Sequence, residues 1–280
     1  YEYISFNLGK YDEASEKNIM DENAKMNDVK LRQAIAYAID TKTAGEKLYN
    51  GLYHPATSLI ISFFGDLHDS EVEGYSYDPD KANELLDEAG YKDVDGDGIR
   101  EGKDGKEFKI TFAARKRTEA NEALVQQYIA WWKEVGLNVE LYTGRTVEIN
   151  TFYDAIQAND ASIDMYAGGW STGYDPNPNG LWGETAPFNM SRFVDEKNTE
   201  LLDAIGSVAS FDEKTNLKNY KAWQEYAFEQ AFAIPTFESE AITALNKRVK
   251  NFDTNYGSAS ENGIALENIE LTADKGVAAE

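Results

Sequence analysis

The chain has 280 residues, of which 42% are hydrophobic and 12% aromatic, so it can bury one large core or two ordinary ones. Its 50 acidic and 27 basic side chains give a net charge of −23. The resulting field repels phosphate backbones and anionic lipid headgroups, so we expect no nucleic-acid partner. The absence of cysteine excludes disulfides, thiolate catalysis and cysteine-based zinc sites.

Apolar residues alternate at 1–6, which predicts that the chain opens with a β-strand. Asn27 is predicted to cap a helix whose apolar residues recur at helical spacing as far as Ile39. A second helix is predicted to begin at the Asp-Pro pair at 78–79, which supplies an N-cap and a proline at the first helical position. Gly90 is predicted to end this helix.

The middle of the chain predicts a β-α-β unit, with a strand at 108–113, a helix at 119–135 and a second strand at 137–142. A further strand is predicted at 163–167, just before a glycine-rich stretch. Strands separated by helices are typical of an α/β fold with a mixed sheet and crossover connections.

Asp195 and Asp212 are candidate caps of two later helices, and the second of these helices is predicted to run to about Ala231. A last strand is predicted at 233–237. Beyond about residue 245 the sequence becomes loop-rich, which indicates that the chain leaves the α/β lobe there.

An acidic turn at 93–104 has the spacing of an EF-hand-type calcium loop. Position twelve is an aspartate instead of the longer glutamate, and a strand follows instead of a helix. The alternative is an Asp/Gly-rich turn whose side chains accept hydrogen bonds from their own backbone. A Ca²⁺ ion there would stabilise the turn and take no part in chemistry. Its predicted ligands are Asp93, Asp95, Asp97, the carbonyl of Ile99, and Asp104.

The stretch 168–183 combines glycines, prolines, two tryptophans and a tyrosine, so no regular structure is predicted for it. Glycines allow close backbone approach, prolines stiffen a loop, and Trp and Tyr offer large rigid contact surfaces. A loop of this kind after a strand suits the wall of a ligand site. The alternative is a glycine-rich connector whose aromatic side chains belong to the core.

Catalytic motifs are absent from the sequence. His54 and His68 lie in predicted loops without metal-binding spacing, and there is no nucleophile elbow, phosphate loop or dinucleotide fingerprint. With 50 carboxylates, chance pairs are certain, and the sequence singles none out as an acid/base pair. We therefore expect no enzyme activity, with an acidic extracellular hydrolase as the alternative.

Several segments, taken in order, resemble the oligopeptide-binding proteins of ABC importers, which are extracellular solute-binding proteins of family 5. The resemblance covers nearly the whole chain but only the carboxyl-terminal part of the family's length. The matching segments are FNL at 6–8, DVKLRQAIAYAID at 28–40, YDPDKANELLDEAGY at 77–91, the acidic turn, GW and DP within 169–176, FN at 188–189 and AIP at 233–235.

The resemblance implies an α/β fold, namely the second lobe of a two-lobed clamp of the type II periplasmic-binding-protein class. Residues 1–9 would be a strand and hinge region from the first lobe. Residues 10–245 would form the second lobe, with a ligand-facing loop at 168–183. Residues 246–280 would return to the first lobe.

The resemblance also implies that the protein grips the main chain of an oligopeptide, including peptide signals, for delivery to ABC permease subunits. The predicted peptide-binding residues are Gly169, Trp170, Ser171, Thr172, Gly173, Tyr174 and Asp175. Relatives often place an aspartate three residues after the tryptophan, to pair with the peptide's amino terminus. Here Gly173 stands at that position, and the nearest carboxylate is Asp175.

By the same resemblance we expect a monomer outside the cytoplasm of a Gram-positive bacterium, anchored to the membrane by a lipidated segment upstream of this sequence. Alternatives within the same clamp are a sugar, a nickel complex or haem as ligand. Two histidines and no cysteine argue against the last two. Another alternative is a calcium-dependent surface adhesin built around residues 93–104.

Overall fold

The computed structural model describes residues 1–240, 242–252 and 266–276. The chain divides into two compact units, Tyr1–Ser239 and Glu240–Glu280. The sequence predicted a change of organisation near residue 245. No helix in the described part of the chain is both long and apolar enough to cross a bilayer.

The described residues form strands and helices in the alternating order expected of an α/β protein. The strands are β1 (Glu2–Phe6), β2 (Gly9–Asp12), β3 (Lys17–Met20), β4 (Tyr53–Pro55), β5 (Lys109–Ala113), β6 (Asn138–Leu141), β7 (Met165–Gly169), β8 (Ala233–Ser239), β9 (Val249–Lys250) and β10 (Glu270–Leu271). The α-helices are α1 (Val29–Tyr37), α2 (Thr41–Leu48), α3 (Pro79–Ala89), α4 (Glu119–Glu134), α5 (Ile149–Gln157), α6 (Asn179–Trp182), α7 (Glu196–Ile205) and α8 (Glu213–Gln230). Short 3₁₀ turns occupy Ser62–Leu67, Tyr142–Gly144, Val208–Phe211 and Leu266–Asn268.

Six strands form one mixed sheet in the order β4-β8-β1-β7-β5-β6. β5, β6 and β7 are mutually parallel, whereas β1 is antiparallel to both β7 and β8. β7 and β8 therefore point the same way as β5, and their carboxyl ends lie at one edge of the sheet. β4 is antiparallel to β8 and includes His54, which was predicted in a loop. The predicted fold class, an α/β lobe with a mixed sheet, is confirmed.

β1 lies inside this sheet, and its Tyr3, Ile4 and Phe6 are almost fully buried because the sheet is covered on both faces. The strand predicted for residues 1–6 is thus confirmed. The assignment of residues 1–9 to a first lobe, and the other proposed domain boundaries, stay predictions. β2 and β3 form a separate antiparallel hairpin. In the second unit, β9 and β10 pair antiparallel.

Aspartates cap the helices largely as the sequence predicts. Asp78, Asp195 and Asp212 each accept a backbone N–H in the first turn of the following helix. The cap predicted at Asn27 is wrong by one residue, because Asp28 accepts the N–H of Lys30. The helix also ends at Tyr37, two residues before the predicted Ile39. Asp40 then caps α2, a helix that the sequence did not predict.

The core is built around the predicted β-α-β unit, β5-α4-β6, which joins two parallel neighbours. Trp132 of α4 is fully buried, packs edge-to-face on Phe112 of β5 and donates a hydrogen bond to the carbonyl of Ile35. The crossover helix is therefore anchored both to the sheet and to α1. This packing holds β5 in place, and part of the candidate site follows the carboxyl end of β5.

Arg192 forms a second anchor, at the base of the segment that follows the glycine-rich stretch. Its side chain is buried, and its backbone has a positive φ of 60°. Burial lowers the pKa of Arg192, and the structure offers it neutral oxygens as hydrogen-bond acceptors. These come from Asn18, Gln157, Asn159, Pro187 and Asn189. One cation thereby connects the β2–β3 hairpin, the end of α5 and the 187–189 turn.

Candidate functional site

The glycine-rich stretch begins where β7 ends. Gly168 and Gly169 are still in the strand, and residues 179–182 form α6, so the absence of regular structure predicted for 168–183 is wrong at both ends. A β-carbon on Gly168 would lie 2.7 Å from the ring of Tyr3, and one on Gly169 would lie 2.7 Å from the carboxylate of Glu2. These glycines are required by close side-chain contacts within the sheet.

The predicted binding residues after Gly169 form a loop at the carboxyl edge of the sheet. We call Trp170 to Asp175 the exposed loop. Ser171, Gly173 and Asp175 are exposed, Thr172 is partly exposed, and the ring of Tyr174 is half-exposed. Backbone amides and carbonyls in such a loop are available to an extended ligand.

Two tryptophans of the stretch have different environments. Trp170 is partly exposed and packs edge-to-face on Phe188 at 5.5 Å, and the ring of Phe188 is itself half-exposed. Trp182 is buried in the core against Tyr3 and Phe232. The alternative that the aromatics belong to the core therefore holds for Trp182, whereas Trp170 keeps a face toward solvent.

Asp175 shapes the end of the exposed loop. Its Oδ1 accepts the backbone N–H of Asn177 at 2.9 Å, as in an Asx turn. Burial, together with the negative charge of Asp175, raises the pKa of Tyr220 to about 12. Asp175 thus lies close enough to α8 for its charge to affect the pKa of Tyr220, and its side chain is exposed to solvent.

A small pocket of about 30 Å³ opens at the same edge of the sheet, between the ends of β5, β7 and β8. This volume has room for about two water-sized groups. Sequence reasoning missed it, although two arginines directly after a predicted strand were a usable signal. We call it the edge pocket, and its polar and aromatic lining is formed chiefly by Glu2, Tyr49, Tyr53, Arg115, Arg117 and Thr236.

Glu2 forms ion pairs with the two arginines that line the edge pocket. Arg117 Nη1 donates to Glu2 Oε1 at 2.7 Å, and Arg115 Nη2 lies 3.9 Å from Glu2 Oε2. Partial burial lowers the pKa of Arg117, but the hydrogen bond and charge of Glu2 raise it above its ordinary value. Arg115 Nη1 donates to the hydroxyl of Tyr153 at 3.1 Å, and its guanidinium lies 5.5 Å from the centre of that ring.

The floor and one wall of the edge pocket come from more distant parts of the chain. Tyr49 and Tyr53 stack at 4.0 Å. β8 contains a bulge at Thr236, because Tyr3 pairs with Pro235 and Glu2 pairs with Phe237. The bulge places Thr236 in the lining of the pocket, where its buried hydroxyl lies close to that of Tyr128. The exposed loop and the edge pocket meet at Gly169, whose α-carbon faces Glu2.

The acidic turn gathers part of its predicted ligand set. Carboxylate oxygens of Asp93, Asp95 and Glu101 lie within 4.8 Å of one another, and this is the only such group of three among the described residues. Asp104 pairs instead with Lys106 at 2.7 Å, and the third carboxylate of the group comes from Glu101, which was not predicted as a ligand.

Hydrogen bonds within the acidic turn support the alternative interpretation as well. Asp93 accepts the backbone N–H groups of Gly96 and Gly98, while Asp97 accepts that of Ile99. Such bonds stabilise an Asp/Gly-rich turn without an ion. Calcium binding at Asp93, Asp95, Asp97, Ile99 and Asp104 stays a prediction.

Comparison with known proteins decides the family. Residues 1–192 match the model of bacterial extracellular solute-binding proteins, family 5, middle region. The chain belongs to this family. The predicted family resemblance is confirmed, and with it the extracytoplasmic solute-binding class.

Individual relatives and solved structures are similar to this chain. The chain is 37% identical over 258 residues to oligopeptide-binding protein OppA of Lactococcus lactis subsp. cremoris, covering 90% of this chain and 42% of the relative. Lactococcal OppA, solved in complex with an endogenous peptide in the closed conformation, superposes with a TM-score of 0.89 at 34% identity, over 96% of this chain and 50% of that one. AppA of Bacillus subtilis, solved with a nonapeptide, shares the fold with a TM-score of 0.77 at 20% identity, over 97% of this chain and 50% of that one.

The chain spans about half the length of the family members that it matches. The exposed loop and the edge pocket both lie at the carboxyl edge of the sheet.

Proposed function

We propose that this chain is the ligand-facing second lobe of an oligopeptide-binding subunit, which captures peptides outside the cytoplasm for an ABC permease. The observation that carries the proposal is the exposed loop at the carboxyl edge of the sheet, in a chain whose fold matches a Lactococcal OppA that was solved holding a peptide. Ligands of open α/β sheets bind at this edge.

The exposed loop offers the chemistry that main-chain recognition needs. Ser171, Thr172 and Gly173 present backbone N–H and carbonyl groups to solvent, and Tyr174 presents a half-exposed ring that can stack on the ligand. Asp175 supplies a carboxylate for a cationic group at the peptide's amino end. Binding to the main chain gives affinity with little dependence on peptide sequence.

The proposal includes a partner and a location. The captured ligands include peptide signals. Each peptide is passed to the permease intact, so the protein acts as a receptor and not as an enzyme. We infer a monomer, held at the outer face of a Gram-positive cytoplasmic membrane by a lipidated segment of the longer protein.

Calorimetric titration of the full-length protein with peptides of about four to ten residues tests the proposal. We expect saturable binding that is weakened by Tyr174→Ala. Tyr77→Ala is the matched control, because Tyr77 is similarly exposed but packs near Trp131, about 15 Å along α4 from the pocket residue Asn121. No response to any peptide, beside binding of an oligosaccharide, would contradict the proposal. Peptide cleavage during the titration would contradict the receptor role.

A further inference from the structure

Two large apolar side chains extend into solvent at a short turn between α7 and α8. Phe211 is 92% exposed and Val208 is 81% exposed, and they are the two most exposed large hydrophobic side chains in the part of the chain that the structure describes. They belong to the 3₁₀ turn Val208–Phe211, which we call the apolar turn. Residues three apart in a 3₁₀ helix lie on the same face, so the two side chains form one apolar patch. Single exposed apolar residues are common, whereas a pair set side by side points to an interaction surface.

Hydrogen bonds from both sides hold the apolar turn in place. The carbonyl of Ala204, in α7, accepts three hydrogen bonds from side chains around the turn and in α8. The donors are Ser207 Oγ and Ser210 Oγ, each at 2.8 Å, and Asn219 Nδ2 at 2.9 Å. A partner therefore meets a surface that is already ordered, and docking on it costs little further conformational entropy.

The charge around the apolar turn is negative. Residues 203–214 contain three carboxylates and one lysine, which gives a net charge of −2, and all four side chains are exposed. They are Asp203, Asp212, Glu213 and Lys214. An apolar patch with this acidic rim is complementary to an apolar recess that is bordered by Lys or Arg side chains. The same rim repels anionic lipid headgroups.

A second copy of the chain does not fit this surface. Both copies would carry −23, and in a symmetric contact the acidic rim would meet itself. A phenylalanine side chain buries about 150–250 Å², and even with the neighbouring valine this falls well short of the roughly 800 Å² per partner of a stable interface. The apolar turn therefore suits a basic partner that binds transiently.

The apolar turn lies toward the ligand edge of the sheet. α8 is joined to β8 by two residues and runs back along it, since Gln224 of α8 lines the same small cavity as Ala233 and Pro235 of β8. Tyr220, in the first half of α8, is close enough to Asp175 of the exposed loop for the charge of Asp175 to add to burial in raising its pKa. The amino end of α8, which follows the apolar turn, is therefore on the side of the exposed loop. A ligand passing from a binding protein into a channel leaves at this edge, so the channel protein contacts its rim.

We propose that the apolar turn docks the peptide-loaded protein on the ABC permease. Phe211 and Val208 enter an apolar recess on the extracytoplasmic face of the permease, and Lys or Arg side chains around that recess face the three carboxylates of the rim. This inference rests on the proposed function and adds to it a docking surface on this lobe.

Stimulation of the permease's ATP hydrolysis tests the inference. The full-length protein with saturating peptide is titrated against the permease of the same organism, assembled with its ATPase subunits in nanodiscs of neutral phosphatidylcholine. We expect Val208→Ser combined with Phe211→Ala to raise the concentration for half-maximal stimulation about tenfold or more, because buried aromatic anchors dominate such interfaces. Val94→Ser combined with Tyr77→Ala is the matched control, since these side chains are 64% and 40% exposed on the acidic turn and beside α4. The control is expected to behave as the wild type.

Charge variants test the basic border of the recess. Asp203→Asn combined with Glu213→Gln is expected to weaken docking and to reduce its dependence on salt, because exposed charges act mainly through screened, long-range attraction. A salt dependence equal to that of the wild type would overturn a basic recess as the partner of the apolar turn. Both pairs of substitutions are at exposed positions, so the Tm and the peptide affinity of the free protein are expected to stay unchanged.

The inference and the proposed function fail in different ways. Equal stimulation by the wild type and by the Val208/Phe211 variant overturns the inference alone. Weaker peptide binding by that variant without permease would show that another part of the same protein covers the turn, and would also overturn the inference. So would a dimer of the wild type that the variant does not form, measured by ultracentrifugation. A wild-type protein that binds peptide but never stimulates the permease overturns delivery and the inference together, whereas absence of peptide binding overturns the proposed function at its first step.

Discussion

Replacing Gly168 with alanine tests whether the end of β7 is held as tightly as the structure indicates. A β-carbon at this position would lie 2.7 Å from both Cζ and Oη of Tyr3. Since carbon atoms pack at about 3.5–4.0 Å, the ring would have to retreat by about 0.8 Å or more. Tyr3 is 3% exposed, and its ring is enclosed edge-on by Trp182 at 5.6 Å and Tyr166 at 6.3 Å.

The expected cost follows from these contacts. Overpacking of a full core costs about 1–3 kcal/mol. The loss of chain entropy in the unfolded state offsets about 0.4–1 kcal/mol of this, because alanine is less flexible than glycine. A net loss of about 1–2 kcal/mol corresponds to a fall in Tm of about 2–8 °C for a protein of this size. Thermal unfolding followed by circular dichroism measures it.

Gly173→Ala is the matched control in the same segment. Gly173 lies in the exposed loop, no heavy atom is within 4 Å of an added β-carbon, and its φ is outside the left-handed region. We expect its Tm to stay the same or rise slightly. Equal Tm values for the two variants would refute the close packing of Gly168 on Tyr3.

Three further changes test other parts of the structure. Arg192→Met should lower the free energy of unfolding by about 2–5 kcal/mol, since it leaves the oxygens of five residues without their donor, and those of Asn18 and Asn189 are buried; denaturant unfolding measures this. Hydrogen bonds from Ser162 and Tyr142 lower the pKa of Asp160, so its stabilising effect is present above the unfolded pKa of about 3.9 and is lost as pH falls through the folded pKa. The stability difference between wild type and Asp160→Asn, measured by unfolding across that range, should therefore shrink below about pH 4. A calcium ion in the acidic turn would raise the Tm of the wild type on titration but not that of Asp95→Asn.

Each of these tests has a clear opposite outcome. Unchanged stability of Arg192→Met would show that solvent satisfies its acceptors. If the stability difference for Asp160→Asn is constant with pH, the ionised carboxylate of Asp160 is not its cause. A wild-type Tm that does not change with calcium would show that the turn is stabilised by hydrogen bonds to its own backbone and not by an ion.

Local features of the sequence predicted much of the fold because their physics is local. The Asp-Pro pair at 78–79 and Gly90 set the two ends of α3, and Gly90 adopts the left-handed conformation expected of a C-cap. The β-α-β unit was predictable because the spacing of apolar residues differs between its strands and its helix, which are adjacent in the sequence. α2 was missed because only Ala44 and Gly45 are buried in it, so it carries no apolar stripe.

The positions of the site residues depend on pairing between strands that are far apart in the sequence. The spacing of apolar residues does not reveal which strands pair. The exposed loop was predictable from its unusual composition, but the separation of Trp170 from Trp182 was not. Glu2 and Arg117 are 115 positions apart, and they meet only because β1 inserts between β7 and β8. The bulge at Thr236 likewise depends on the register of β8 against β1.

Hydrogen exchange of the full-length protein, with and without saturating peptide, tests most directly whether the exposed loop grips a peptide main chain. The account predicts that the backbone amides of residues 171–173 exchange rapidly in the free protein and become protected on binding, while those of the acidic turn at 93–104 do not change. Unaltered exchange at 171–173 in a protein that demonstrably holds peptide would contradict it.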